Sequence, residues 1–129
     1  MKKLLLLAIA LVIFGAALEL HAQTRIRFAR GAVRANVSGA LAGFKSTRVY
    51  VIRVRAGQTI RTEQIGGRSR PITISIKDPN GNDVSDSDAS CNNRKEVSPT
   101  EAGDYTIEVV ECRKADPWRG RFTFRVTVR

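Results

Sequence analysis

From Thr24 to the last residue, apolar side chains recur at every second position, the period of a strand with one buried face and not of a helix. Ile26 and Phe28 alternate with Arg25 and Arg27. Val37, Gly39 and Leu41 continue a second short strand that Gly43 closes. Residues 48–55, RVYVIRVR, place Tyr50, Ile52 and Val54 on one face and are apolar enough to lie between two neighbours. The turn Ala56-Gly57-Gln58 leads into a weaker strand over 59–65, and 66–70 reads as a loop. Pro71 then opens a strand, a position that needs no backbone donor, with Ile72, Ile74 and Ile76 in one buried row. Asp78-Pro79-Asn80-Gly81 is a turn by composition, and 82–100 reads as polar and irregular. The chain closes with Phe122, Phe124, Val126 and Val128 inward and arginines and threonines outward. Seven to nine short strands at 8–15-residue spacing, with no amphipathic helical period, predict an all-β fold: an antiparallel, jelly-roll-like β-sandwich.

Within that pattern one stretch stands apart. Residues 101–121, EAGDYTIEVVECRKADPWRGR, begin with a turn and continue as a strand with Tyr105, Ile107 and Val109 on one face. The strand ends at Cys112 and runs into Arg113, Lys114, Pro117, Trp118, Arg119, Gly120 and Arg121. A bulky aromatic among four cations, interrupted by Pro117 and Gly120, reads as a contact loop. The alternative is a solvated basic loop with Trp118 covering the end of the core.

Composition narrows the chemistry. Lys2 and Lys3 precede an uninterrupted apolar run from Leu4 to Leu18, and Leu20-His21-Ala22 offers a small residue at a cleavage point. Residues 1–22 therefore read as a signal peptide. The 15-residue run is shorter than the roughly 20 residues a spanning helix needs, so no stable membrane insertion is expected after cleavage. The expected mature chain, residues 23–129, is one domain's worth, and is periplasmic or secreted. Removing Lys2, Lys3 and Glu19 leaves 20 cations against 11 anions, and 16 of those cations are arginine. Such a charge favours anionic partners. The only histidine, His21, falls in the leader. Without it the mature chain lacks the base of a Ser-His-Asp or Cys-His group and any histidine ligand for zinc, so no enzyme and no cofactor are expected. Cys91 and Cys112, in an exported protein, are expected to pair as a disulfide.

Three other candidate sites are set by their chemistry. Asp78, Asn80, Asn82, Asp83, Asp86 and Asp88 form an oxygen-rich segment that could hold calcium, but Pro79 and Asp83 break the EF-hand pattern, and a turn plus a polar loop explains it without metal. Glu108 and Glu111 lie an odd number of residues apart, on opposite strand faces, so they cannot act as a glycosidase pair. Nucleic acid is not expected: the arginines are spread over many strands, and Tyr50, Tyr105 and Trp118 are too few for a stacking platform.

The mature chain resembles the periplasmic inhibitors of goose-type (g-type) lysozyme. The resemblance is carried by Phe28-Ala29-Arg30-Gly31, by residues 37–43 (VSGALAG), by the Tyr50 strand with Ala56-Gly57-Gln58, and by Ala102-Gly103-Asp104-Tyr105 with Arg113. Much of this skeleton also resembles the pre-peptidase C-terminal β-sandwich domains. The first resemblance implies a sandwich that occludes the lysozyme's substrate cleft with a Ser-Gly-x-Tyr turn and basic residues after the following strand. By position, Gly103 and Tyr105 match the turn and Arg113 the first basic residue, with Trp118 and Arg119 as supporting contacts. Ala102 replaces the serine, and the family's second arginine falls at Pro117. The second resemblance implies an accessory sandwich that binds an anionic glycan or surface polymer through its arginines.

Overall fold

The computed structural model describes residues 22–66 and 70–129, so residues 1–21 of the expected leader and residues 67–69 lie outside the described residues. Eight strands form two four-stranded sheets. They are β1 (Thr24–Arg25), β2 (Arg34–Ala42), β3 (Thr47–Val54), β4 (Ile60–Gln64), β5 (Ile72–Lys77), β6 (Arg94–Val97), β7 (Gly103–Glu111) and β8 (Arg119–Val128). One sheet runs β1-β3-β7-β5 and the other β2-β8-β4-β6. From β2 onward every connection crosses from one sheet to the other, the jelly-roll arrangement. All pairings are antiparallel except β1 with β3, which is parallel and only two residues long.

The inward rows are those the alternation predicted. Tyr50, Ile52 and Val54 of β3, the three isoleucines of β5, Tyr105, Ile107 and Val109 of β7, and Phe122, Phe124, Val126 and Val128 of β8 meet between the sheets. Tyr50 packs edge-on against Phe124, with ring centroids 5.3 Å apart. Trp118 is packed against the margin of this core.

The segment 82–100 is more ordered than its composition predicts. It contains β6, and residues 84–93 cover the free edge of β5. Val84 N–H donates to Ile76 O, Asn92 N–H to Ile72 O, and the buried Asn93 accepts from Ile74 N–H at 2.9 Å. An edge left bare would be a template for pairing with other chains. Lys95, the first inward residue of β6, leaves its ammonium 3% exposed and donates to Asp86 Oδ1 at 2.6 Å, Asp86 O at 2.7 Å and Asp88 O. The oxygen-rich loop is thus gathered round a lysine of the chain itself. Among the described residues no three acidic, cysteine or histidine side chains converge as a metal site.

Cys91 and Cys112 form a disulfide that ties the end of this edge-covering loop to the end of β7. Closing a loop of this size contributes about 3 kcal/mol by chain entropy. Replacing both cysteines by serine should lower the unfolding free energy by about that amount, read from urea midpoints. A second expectation concerns acid. The hydrogen bond from Lys95 holds the Asp86 carboxyl below its ordinary range, with the Asp88 backbone N–H adding to it. A carboxyl depressed in the folded state lends stability that is present above its unfolded pKa and is lost as pH falls through the folded one. Lys95→Met should therefore flatten the loss of stability between about pH 5 and pH 2, measured by urea melts across that range.

Candidate functional site

β7 is the central strand of its sheet, paired with β3 on one side and β5 on the other. Its two ends carry the two groups of residues that the sequence singled out. At nine residues and about 3.3 Å per residue, they stand roughly 26 Å apart.

At the first end Gly103 opens the strand with φ 144°, and a Cβ there would meet Pro79 at 2.8 Å, so the turn and the Asp78–Pro79 corner pack only because position 103 is glycine. Tyr105 is 2% exposed, and its phenol oxygen accepts from Glu101 N–H at 2.9 Å, bracing the turn from inside. Asp104 takes two hydrogen bonds from Arg25, at 3.0 and 3.1 Å, which hold its carboxyl below the usual range and fasten β1 to β7.

At the other end the strand passes into the basic loop. Glu111, the last inward residue of the row, is buried, and its Oε1 accepts from Trp118 N–H at 2.7 Å, closing residues 112–118 into a loop. Pro71 O accepts from both Cys112 N–H at 3.0 Å and the Trp118 indole N–H at 3.1 Å. Trp118 O in turn accepts from Gly43 N–H at 2.9 Å, which brings the β2–β3 turn alongside. Phe44 of that turn lies under Arg113, whose guanidinium carbon is 5.9 Å from the ring centroid, at the outer edge of cation–π range. Arg113, Lys114 and Arg119 are exposed. A shallow cleft of about 230 Å³ opens at the loop's base, lined by Thr73, Ala89, Val110 and Glu111 with Arg113 and Lys114.

The five residues nominated from sequence are therefore divided. Arg113, Trp118 and Arg119 share one end; Gly103 and Tyr105 belong to the other. Trp118 is half-buried and engaged by both its nitrogens. Two residues of the loop end escaped the sequence reading. Glu111 reads in sequence as an acidic residue at a strand's end, and Phe44 carries a usable signal, an aromatic directly after the strand-closing Gly43.

No protein-family profile matches the chain, and no curated protein sequence matches it. Solved structures do. A periplasmic inhibitor of g-type lysozyme from Aeromonas hydrophila superposes with a TM-score of 0.65 at 21% identity, covering 83% of this chain and 96% of that one. The chain shares its fold. The corresponding inhibitor from Salmonella Typhimurium gives 0.59 at 17% identity, over 83% and 97%. A pre-peptidase C-terminal domain of collagenase from Bacillus anthracis gives 0.56 at 20% identity, over 84% and 96%. Both resemblances read from the sequence thus have counterparts in structure, at identities that establish the architecture.

The loop end makes a prediction of its own. Glu111→Ala leaves the Trp118 N–H without its acceptor and should cost about 1–3 kcal/mol. The single tryptophan should then shift its fluorescence to the red. Glu111→Gln, which keeps an acceptor oxygen, should retain most of the native spectrum.

Proposed function

We propose that this chain is an exported, non-enzymatic inhibitor of g-type lysozyme that occludes the enzyme's substrate cleft with the loop of residues 112–119. The observation that carries the reading is the placement of Arg113: an exposed guanidinium one residue beyond a buried, disulfide-bonded cysteine, on a fold shared with such inhibitors. The periplasm is the compartment that fits this role.

Glycoside hydrolases act through carboxyl groups flanking the scissile bond. A guanidinium can meet such a carboxylate with two parallel, charge-assisted hydrogen bonds. The disulfide, the Glu111–Trp118 closure and Phe44 hold the Arg113 stem before any partner arrives, so little ordering entropy is lost on binding. Lys114 and Arg119 add positive potential on either side. In this proposal Trp118 carries the loop and does not itself enter the cleft, since its indole N–H is already committed to Pro71 O. Gly103 and Tyr105 act at a distance, by fixing the start of the strand whose far end presents Arg113.

The test is inhibition of g-type, c-type and i-type lysozymes by the oxidised protein, with Arg113→Ala beside it. Selective inhibition of the g-type enzyme is expected. Truncating one member of a buried interfacial charge pair costs about 2–5 kcal/mol, so Arg113→Ala should weaken inhibition by roughly 30-fold or more. Inhibition should also fall when the disulfide is reduced. An oxidised protein that leaves all three classes unaffected at micromolar excess removes the reading.

A further inference from the structure

We propose that a cleft of about 510 Å³ on the outer face of the β2-β8-β4-β6 sheet binds a saccharide carrying one acidic group, with Arg34 and Arg129 gripping the acid beside Thr127.

The strand register puts the whole site on one side of that sheet. Val126 and Val128 of β8 enter the core, so Arg125, Thr127 and Arg129 point away from it. Ala35, Ile60 and Val97 turn inward likewise, which leaves Arg34, Arg61 and Glu96 on the outer face. Three rows cross the sheet there. In the middle row Thr127 has Arg34 of β2 on one side and Arg61 of β4 on the other, and Glu96 of β6 follows Arg61. In the next row Arg125 stands between Asn36 and Glu63, and Glu63 faces Arg94. In the third, Arg129 and Thr59 exchange two backbone hydrogen bonds, at 2.8 and 3.2 Å, and the Thr59 and Ser98 hydroxyls meet at 2.7 Å. Thr127 is thus the centre of a cross with an arginine on every arm: Arg34 and Arg61 on the flanking strands, Arg125 and Arg129 on its own.

Two of the four guanidiniums are already held. Arg61 donates from two nitrogens to Glu96 Oε2, at 2.8 and 2.6 Å. Arg125 donates from Nε to Asn36 Oδ1 at 3.3 Å and lies 4.0 Å from Glu63. Arg34 and Arg129, among the described residues, have no carboxylate partner. They are diagonal neighbours on paired strands, a placement that sets Cβ atoms about 7–8 Å apart, within reach of side chains this long. An oxyanion lying between them can take a guanidinium fork from each. Beyond that corner the cleft changes sign. Among the described residues Glu96 Oε1 and Glu63 Oε1 accept no hydrogen bond, so each is open to a hydroxyl donor. The same carboxylates repel a second acid, and a chain of regularly spaced anions does not fit. No aromatic lines the cleft, so bases have nothing to stack on. β8 and β4 are each paired on both sides, so the floor has no free backbone group for an extended peptide. Two free guanidiniums, two free carboxylate oxygens and the threonine hydroxyls are the partners of one acid and several hydroxyls. Val33, 50% exposed at the rim, suits the C–H face of a sugar ring.

The cleft uses none of residues 112–119 and stands apart from the inhibitor reading. Isotope-labelled oxidised protein is titrated with sialyllactose, sulfated lactose and lactose, and affinity is read from amide shifts in the magnetic-resonance spectrum. An acidic sugar should move the amides of Arg34, Thr127 and Arg129 and bind about tenfold or more tightly than lactose. The tighter of the two identifies the acid as carboxylate or sulfate. Arg34→Ala and Arg129→Ala should each weaken that binding about tenfold. Arg34→Lys, which keeps the charge and loses the fork, should fall between. Arg121→Ala, at the far end of the same face, should bind as the parent does, and Arg113→Ala should lose inhibition while keeping the sugar. Failure of both acidic sugars to bind overturns the proposal, as does equal binding of lactose, which would leave the acid no role. So does an equal loss in Arg121→Ala, which would mean diffuse charge, or tighter binding of triglutamate or an oligothymidylate at the same amides. Unchanged near-ultraviolet circular dichroism and melting temperature in each variant establish that the losses are not those of folding.

Discussion

The buried row of β7 is the constraint on which the rest of the molecule depends. Tyr105, Ile107, Val109 and Glu111 all face the opposite sheet from a strand paired with β3 over residues 103–110 and with β5 over 106–111. Because each connection after β1 crosses between sheets, no two consecutive strands among β2–β8 pair as a hairpin, and the sandwich cannot be assembled from local pieces. Its stability is cooperative by construction: β7 must find β3 and β5, and β8 must find β2 and β4, before any of these faces is buried. Folds dominated by such distant pairings close large loops before contacts repay them. The Cys91–Cys112 bond shortens one of those searches, joining the far end of β7 to the segment that covers β5.

The same row explains why the two ends of β7 serve different purposes. Both end in a polar group turned inward, and each polar group is used to fasten a turn. The Tyr105 phenol accepts from Glu101 at one end and the Glu111 carboxylate accepts from Trp118 at the other. At the first end the surrounding charges neutralise each other, Arg25 with Asp104 and Lys77 with Glu108. At the second they do not. A strand fixed at both ends over roughly 26 Å separates a balanced, structural end from a cationic one.

How far this was legible follows from what a period of two encodes. Where one face of a strand is buried and the other wet, apolar residues alternate, and β3, β5, β7 and β8 could be read directly. β6 could not, because it is four residues long and its first inward position is Lys95, whose ammonium finds its oxygens only once the 82–93 loop has folded over the β5 edge. β1 is shorter than the alternation of Ile26 and Phe28 with their arginines implies. The chemistry of the loop, Arg113 and the cysteine pair, was visible because it is local. Its supports were not. Phe44 is nearly seventy positions from Arg113, and Glu111 reads in sequence as a polar residue at a strand's end. Each acquires its role from the crossing topology, which alternation does not specify. For the same reason the turn and the basic loop, close in sequence, looked like one surface.

The distribution of arginine is the last consequence of the fold. An outward face of a sandwich needs only polar side chains, and threonine or serine would keep it wet without like-charge repulsion. Where this protein pairs its arginines, a carboxylate stands on another strand of the same sheet within reach, Asp104 for Arg25, Glu96 for Arg61 and Glu63 for Arg94, and an isolated exposed pair of that kind is worth little. Among those with no carboxylate partner, Arg48 is oriented by a backbone oxygen, Ala40 O, and Arg113 by the ring of Phe44. Repulsion among fixed charges is a standing cost that mobile salt screens in part and a bound anion relieves further. The relief is greatest where the charges cannot move apart, so the rigidity that β7 imposes on this end also sharpens its preference for anionic oxygen.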